Sequence, residues 1–595
     1  MNTVADRLRR LPLARATQVA LASTIVLTVC GSSGVADVTR VGSKLRWVAL
    51  AALLVFALAW LLVESDAALR PTPAHMLVFG LCALALASTA WSVAPRLTFE
   101  RAVSFIVAVS AAAATAAAAG GVRDRRAFVG EGIVAAAAIV ALIGIVVYLV
   151  DPSAGAQSAV ADTPFRFRGL GESANTVPML LAVATPIVLW LACTAGRRRR
   201  LVYGLLIAGF AVDIVLSGSR SALVGAGLAF VAFALVFPTS TRRRRAALVA
   251  AALAAGALLV AGVVGMVSLT ALPPATPAPP GTAPVRPLPY PRVVLGNLED
   301  ELGSIPSGRR TLLGRDGRTQ ALQEAIDQAN QRPALGWGFG TEEKVFIDRL
   351  AQFHAARPEN SYVGLYLQLG AVGLALFVAL AGFLGVATAR TRRLDRERRV
   401  AAAGLAGAVA AGYGLAFGQS YVYAVGNVAT LSVFCAVFLL AGLVERPLSR
   451  RVAVACGLAC VVVAAFAVPL GRTEGSSALD AQRRGIQAIW TRIGGRVDSA
   501  SLDGFRRLAS ESSCLLYGDK ATPTAYEVCF DRGRAWQAID RRAGGFHAWT
   551  IQPFGVQSAS LVVDASSVDS ALHVLHAFGK GIGVGPGFLA RPPRG

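Results

Sequence analysis

Apolar stretches of about 20 residues recur from residue 16 to residue 470, and each has the length a helix needs to cross roughly 30 Å of hydrocarbon. They fall near 16–30, 47–63, 74–92, 102–120, 128–150, 178–196, 201–216, 221–238, 246–272, 361–388, 400–419, 426–443 and 452–470. A chain with so many such runs cannot bury them in one water-soluble core. The composition agrees: 55% of the 595 residues are hydrophobic, 16% are charged and the mean hydropathy is +0.56. An ordinary soluble domain carries about 25% charged residues. The expected fold is therefore an all-α polytopic membrane protein of about 12–13 transmembrane helices. The first run follows Arg7, Arg9, Arg10 and Arg15 but ends without a clear cleavage site, so it reads as a first helix.

The net charge of +23 comes almost entirely from arginine. These arginines cluster between apolar runs, at Arg123 to Arg126, Arg197 to Arg200, Arg242 to Arg245, Arg390 to Arg399 and Arg446 to Arg451. With the N-terminus cytoplasmic, all five clusters fall on the cytoplasmic side, as the positive-inside rule requires. The misfit is Arg40, Lys44 and Arg46, which this topology places outside. No basic groove with interleaved aromatics accompanies the clusters, so nucleic acid is not an expected partner. The expected location is the cytoplasmic membrane, with the C-terminus extracytoplasmic.

The same topology divides the chain into a membrane domain, 1–470, with a large outer loop at 273–360, and a soluble segment, 471–595, expected to form a small α+β extracytoplasmic domain. Helices are expected near 478–492 and 501–510, and strands near 514–518, 525–530 and 560–564. Cys514 and Cys529 flank a turn and are candidates for a disulfide across a hairpin, or for two buried thiols. The loop opens with a Pro-rich spacer, then changes into an amphipathic helix in which Leu322 and Ile326 follow Arg318 at i+4 and i+8. Arg318 thus heads the apolar stripe, where a guanidinium needs an anionic partner such as phosphate.

Ionisable residues within or at the end of a span are functional candidates. Asp213 lies inside one, and Arg220 ends it in Leu216-Ser-Gly-Ser-Arg-Ser. Arg166 and Arg168 alternate with phenylalanines in the loop before Asn175. Glu359 and Asn360 stand where the long loop re-enters the membrane. Glu359 is a candidate general base, while Asn360 has the residue type of a helix cap. No P-loop occurs, Gly336-Trp-Gly-Phe-Gly340 reads as a turn, and the five histidines show no metal-ligand spacing. No metal and no cofactor are expected.

In this order the motifs resemble the O-antigen ligase and polymerase family of bacterial membrane glycosyltransferases over roughly residues 80–445. The resemblance rests on Trp91-Ser92-x-x-Pro95, Arg168-Gly169 with Asn175, Ser219-Arg220, Gly317-Arg318, Pro333-x-x-Gly336-x-Gly338-x-Gly340, and Asn360 followed by Gly370-x-x-Gly373. It departs at Glu359, where the family carries histidine; His354 is a weaker substitute. The resemblance implies transfer of glycan from an undecaprenyl-diphosphate carrier to an acceptor hydroxyl of a glycan, lipid or protein. It implies Arg220, Arg318 and Glu359 as catalytic residues, with Arg166, Arg168, Asn175 and Asn360 binding substrate. Two other classes stay open: a transporter or flippase of lipid-linked sugars, and a non-catalytic scaffold presenting 471–595.

Overall fold

The computed structural model describes residues 13–63, 71–239 with short breaks at 93, 121–122 and 158–165, scattered positions from 243 to 342 (most continuously 332–342), and 359–472. From 473 onward it describes only the backbone of a helix to 492 and of short strands between 514 and 562. Twelve helices of the described residues carry the argument: α1 (Leu13–Gly31), α2 (Ala36–Val63), α3 (Pro73–Ala87), α4 (Pro95–Ala119), α5 (Arg123–Val150), α6 (Thr176–Thr194), α7 (Arg197–Ser217), α8 (Arg220–Val236), α9 (Ser361–Ala389), α10 (Arg396–Leu415), α11 (Thr430–Val444) and α12 (Arg450–Arg492). Among the described residues, nine helices are long and apolar enough to cross a membrane, and α8 and α11 are shorter apolar helices. The chain is thus a mostly helical, multi-pass membrane protein. The run 246–272 lies almost wholly outside the described residues.

Burial sorts these helices into centre and periphery. Most of α6 is buried, and α10 is buried almost continuously from Val400 to Val409. Alanine and glycine make up most of α10, which lets neighbouring backbones approach closely. A Cβ at Gly404 would come within 2.5 Å of Trp190, one at Gly407 within 2.6 Å of Pro186, and one at Gly225 within 3.0 Å of Leu415. Helix α12 lies at the edge instead, with Leu458, Val461, Val462, Val463 and Phe466 exposed. In water that apolar surface would be costly; against hydrocarbon it is the expected exterior.

Three boundaries differ from the sequence reading. Helix α2 starts at Ala36, not near 47, because the 32–35 turn is closed by the Thr39 hydroxyl donating to the Ser33 carbonyl (2.7 Å) and Gly42 packs against Cys30 and Gly31. Arg40, Lys44 and Arg46 therefore belong to a helix. Helix α3 ends at Ala87, and a short 3-10 turn (Ser88–Ala90) frees Trp91 to leave the bundle axis. The pieces expected at 452–470 and 478–492 form one helix, α12, that continues through Pro469.

Beyond α12 the strands β1 (Cys514–Gly518), β2 (Ala525–Asp531), β3 (Arg534–Arg542), β4 (Gly545–Gln552) and β5 (Gly555–Gln557) pair antiparallel in chain order. Cys514 and Cys529 are register partners across β1 and β2; their side chains, and the helix expected at 501–510, lie outside the described residues.

Helix α9 contains a break that organises one end of the bundle. Gly370 sits at φ 64°, ψ −165°, so the helix interrupts its own hydrogen bonding there. The segment Arg332–Gly340 inserts at the break. Trp337 and Gly338 donate to the carbonyls of Leu367 and Gln368 at 3.0 and 2.9 Å, and Ala371 donates to the Pro333 carbonyl at 2.7 Å. A side chain at Gly370 would collide with the Ala334 backbone, and its φ and ψ fall in a region open essentially to glycine alone, which costs a residue with a Cβ about 1–3 kcal/mol. The Gly370→Ala chain is expected to melt several degrees below the wild type in detergent. Gly385→Ala, in the same helix with open space around it, is expected to leave the midpoint unchanged.

Candidate functional site

The turns at 31–36, 88–92, 151–157, 166–175 and 217–220, together with 332–342 and 416–429, meet at one end of the bundle. Gly34 donates to the Gly171 carbonyl (3.2 Å), Ser32 Oγ to the Gly426 carbonyl (3.2 Å), and Trp91 Nε1 to the Leu335 carbonyl (3.3 Å). The described arginine clusters gather at the opposite end, where Leu448 donates to the Pro71 carbonyl (2.9 Å) and Arg126 Nε to the Gly120 carbonyl (2.8 Å).

The glycine-rich run is a turn, as its sequence implied, and the fold buries it. Trp337 and Phe339 are fully buried, and Phe339 donates its backbone N–H to Ser88 Oγ at 2.9 Å. Arg332 stacks over the Trp337 ring (3.7 Å to the centroid) and donates to the Trp91 carbonyl (3.3 Å). The Trp91-Ser92 element and the glycine run, about 240 residues apart, are thus one structural unit. In the helical piece before it, Ala325 and Ala329 are fully buried, so the stripe of that segment faces the protein. Arg318 and His354 lie outside the described residues.

Asn360 caps α9: its Oδ1 accepts from the N–H groups of Tyr362 and Val363 at 3.0 and 3.1 Å, satisfying orphan donors of the first turn. It also grips the 416–420 loop, donating from Nδ2 to the Phe417 carbonyl (3.1 Å) and from its backbone to Ser420 Oγ (3.2 Å). Ser361 Oγ adds a bond to the Gln419 carbonyl (2.6 Å). Burial pushes the Tyr421 hydroxyl well above its ordinary value, so it stays a donor, to the Gly412 carbonyl. Glu359, just before the cap, is the one residue other than glycine with positive φ (46°) among the described residues, and its Oε2 is buried. A left-handed backbone at a non-glycine residue is uncommon and clusters at functional sites.

Arg220 is the first residue of α8, half-buried, after the N-cap Ser219, whose hydroxyl accepts from the Ala222 N–H. The turn between α7 and α8 is only Gly218 and Ser219, with Gly218 left-handed at φ 61°. Gly418 packs against Ser221, where an added Cβ would lie 2.8 Å from the serine Cβ. The four residues 417–420 therefore touch Asn360 on one side and Ser221 on the other, bringing the neighbourhoods of Glu359 and Arg220 together.

Arg166 and Asn175 lie behind that turn. Arg166 is 8% exposed; its Nε donates to the Ser217 carbonyl (2.7 Å) and its Nη2 to Asn175 Oδ1 (2.9 Å). Both side chains thereby hold the end of α7. Arg168 donates to the Ala154 carbonyl (2.9 Å) and rests on Gly34, tying its loop to the α1–α2 turn. Asp213 lies one turn before Ser217 on the buried face of α7, and neither of its carboxylate oxygens finds a hydrogen bond.

Sequence reasoning missed Glu342. It is 1% exposed and accepts from Tyr423 OH (2.6 Å) and Ser420 Oγ (3.0 Å), and Ser420 in turn accepts from Asn360. The only signal was its place directly after a rigid glycine turn; its partners come from a loop 80 residues away. Among the described residues no group of three or more His, Cys, Asp or Glu side chains stands together.

In this multi-pass helical bundle the 417–420 loop thus joins the turn that carries Arg220 and the cap that follows Glu359 at one end. Residues 204–378 match the family model described as O-Antigen ligase, so this part of the chain is similar to that family. Arg220, Arg318, Glu359, Asn360 and the glycine run all fall within the matched residues. No curated protein matches the chain.

Proposed function

We propose that the chain transfers or polymerises glycan from an undecaprenyl-diphosphate carrier onto an acceptor hydroxyl at the outer face of the cytoplasmic membrane. The observation that carries this reading is the 417–420 loop, which contacts both the residue after Arg220 and the residue after Glu359. In the proposed reaction the acceptor oxygen attacks the anomeric carbon while Glu359 takes its proton. The bond from that carbon to the diphosphate breaks, and its electron pair leaves with the phosphate oxygen. Arg220 and Arg318 neutralise the developing charge. Asn360 fixes the backbone beside the base, and Arg166 with Asn175 fixes the turn that presents Arg220. Arg168 holds the neighbouring loop against the α1–α2 turn. No step in this scheme requires a metal. We place the N-terminus in the cytoplasm and assign 471–595 to an extracytoplasmic domain that gathers acceptor or partner.

The test is the lipid-linked glycan profile, by mass spectrometry, of a strain lacking the chain, with wild type and the Arg220→Ala, Arg318→Ala and Glu359→Gln variants returned. Accumulation of single repeat units that none of the variants clears identifies a polymerase. Long chains left on the carrier identify a ligase. An unchanged profile, or full rescue by all three variants, overturns the enzymatic reading.

A further inference from the structure

Arg46 stands out by its place in α2. The buried positions of that helix are Gly42, Leu50, Leu53, Ala57 and Trp60, a stripe at helical spacing that also contains residue 46. The guanidinium therefore turns toward the bundle rather than away from it. It borders a hollow with Thr24 and Thr28 of α1, Trp47, Asn427 and Thr430. Its Nε is enclosed and donates to nothing, and its Nη1 lies against Gly426.

Among the described residues around the hollow the guanidinium meets only the Trp47 ring, 5.1 Å from its centroid, and no opposite charge. Among the described residues no carboxylate lines the hollow. The hydroxyls of Thr24, Thr28 and Thr430 give their protons to the carbonyls of Ala20, Thr24 and Tyr421, each at 2.7 or 2.8 Å. Asn427 Oδ1 is occupied by the Ala429 N–H (3.0 Å). The nearest acidic residue of α2, Asp37, pairs with Arg40 at 3.6 Å. An enclosed donor on a cation is costly without an anionic acceptor, and an anionic ligand seated in the hollow would supply one.

The depth of Arg46 fits a lipid headgroup. At 1.5 Å of rise per residue, about 25 Å separates it from Val63 at the other end of α2. With Val63 at one hydrocarbon boundary, Arg46 lies near the other. Trp47, 39% exposed, stands between the hollow and the exposed apolar residues Leu45 and Val48, as an interfacial tryptophan does. Lys44 adds a second positive charge at this level.

We propose that Arg46 is the centre of a binding site for the phosphate headgroup of an anionic membrane phospholipid, seated where α1, α2 and the 425–428 loop meet. The bound lipid tethers this loop, whose other end, at 417–420, frames Arg220 and Glu359.

The test uses the full chain in nanodiscs. In phosphatidylcholine with added phosphatidylglycerol, Arg46 of the wild type is expected to react with phenylglyoxal about tenfold more slowly than in phosphatidylcholine alone, read by peptide mass spectrometry. Phosphatidylglycerol is expected to co-purify with the wild type and with Arg46→Lys, and to be lost from Arg46→Gln, while Arg15→Gln retains it. Equal labelling in the two bilayers overturns the proposal, and so does equal phosphatidylglycerol on wild type and Arg46→Gln. Protection by undecaprenyl diphosphate in phosphatidylcholine, without any by phosphatidylglycerol, also overturns it and assigns the site to the glycan carrier. The labelling arm needs no variant, so a failure of Arg46→Gln to fold leaves the test intact.

Discussion

Arg220→Ala is expected to lower the rate of glycan transfer by the reconstituted chain about 10²–10³-fold, the usual loss when one donor to a developing anion is removed. The loss should fall on the chemical step. A guanidinium that meets charge only as the diphosphate leaves contributes to the transition state more than to donor binding. The measurement is single-turnover transfer at saturating donor, beside donor affinity determined separately. Arg220→Lys should recover part of the rate, because lysine restores the charge but not the two-pronged geometry. The expectation depends on the short turn that carries Arg220: two residues link α7 to α8, and Arg166 anchors the Ser217 carbonyl behind them. Rates within threefold of wild type for Arg220→Ala would mean that the arginine only borders the membrane.

Glu359→Gln is expected to reduce transfer by about 10²–10⁴-fold, the range for loss of a general base. Glutamine keeps the shape and hydrogen-bonding capacity of the side chain but cannot accept the acceptor's proton. Glu359→Gly separates this role from a structural one. At φ 46° a residue with a Cβ is strained by about 1–2 kcal/mol, which glycine does not incur. The glycine variant should therefore melt at or above the wild-type temperature while remaining as inactive as the glutamine variant. Higher stability with full activity would show that Glu359 shapes the turn and takes no proton; His354 would then be the next candidate. Lower stability with low activity would point to a buried structural carboxylate.

Much of the architecture could be read from residue order alone, because a bilayer imposes a length and a polarity on every helix that crosses it. The apolar runs and the alternating arginine clusters follow from that constraint, and most of the expected spans coincide with helices. The boundaries that moved did so for tertiary reasons: α2 gains eleven residues because Gly42 packs on Gly31, and α3 releases Trp91 because its indole bonds the Leu335 carbonyl. The motif residues Arg220, Glu359 and Asn360 were legible because their residue types are unusual at a membrane boundary and resemble a family pattern.

Other features were decided only by tertiary structure. Arg166 and Asn175 look like ligands of an open loop, yet Arg166 donates to Asn175 and to the Ser217 carbonyl inside the protein. Glu342 is one of two adjacent glutamates in a long loop until Tyr423 and Ser420 close over it. Arg46 reads as a charge on the wrong side until α2 starts at Ala36 and turns it onto a buried stripe. The physical reason is common to all three. The cost of crossing a bilayer is a property of a segment, and sequence records it locally. Whether a charge is a ligand, a clamp or an unanswered donor depends on which backbone arrives beside it, and here that backbone comes from up to about 380 residues along the chain.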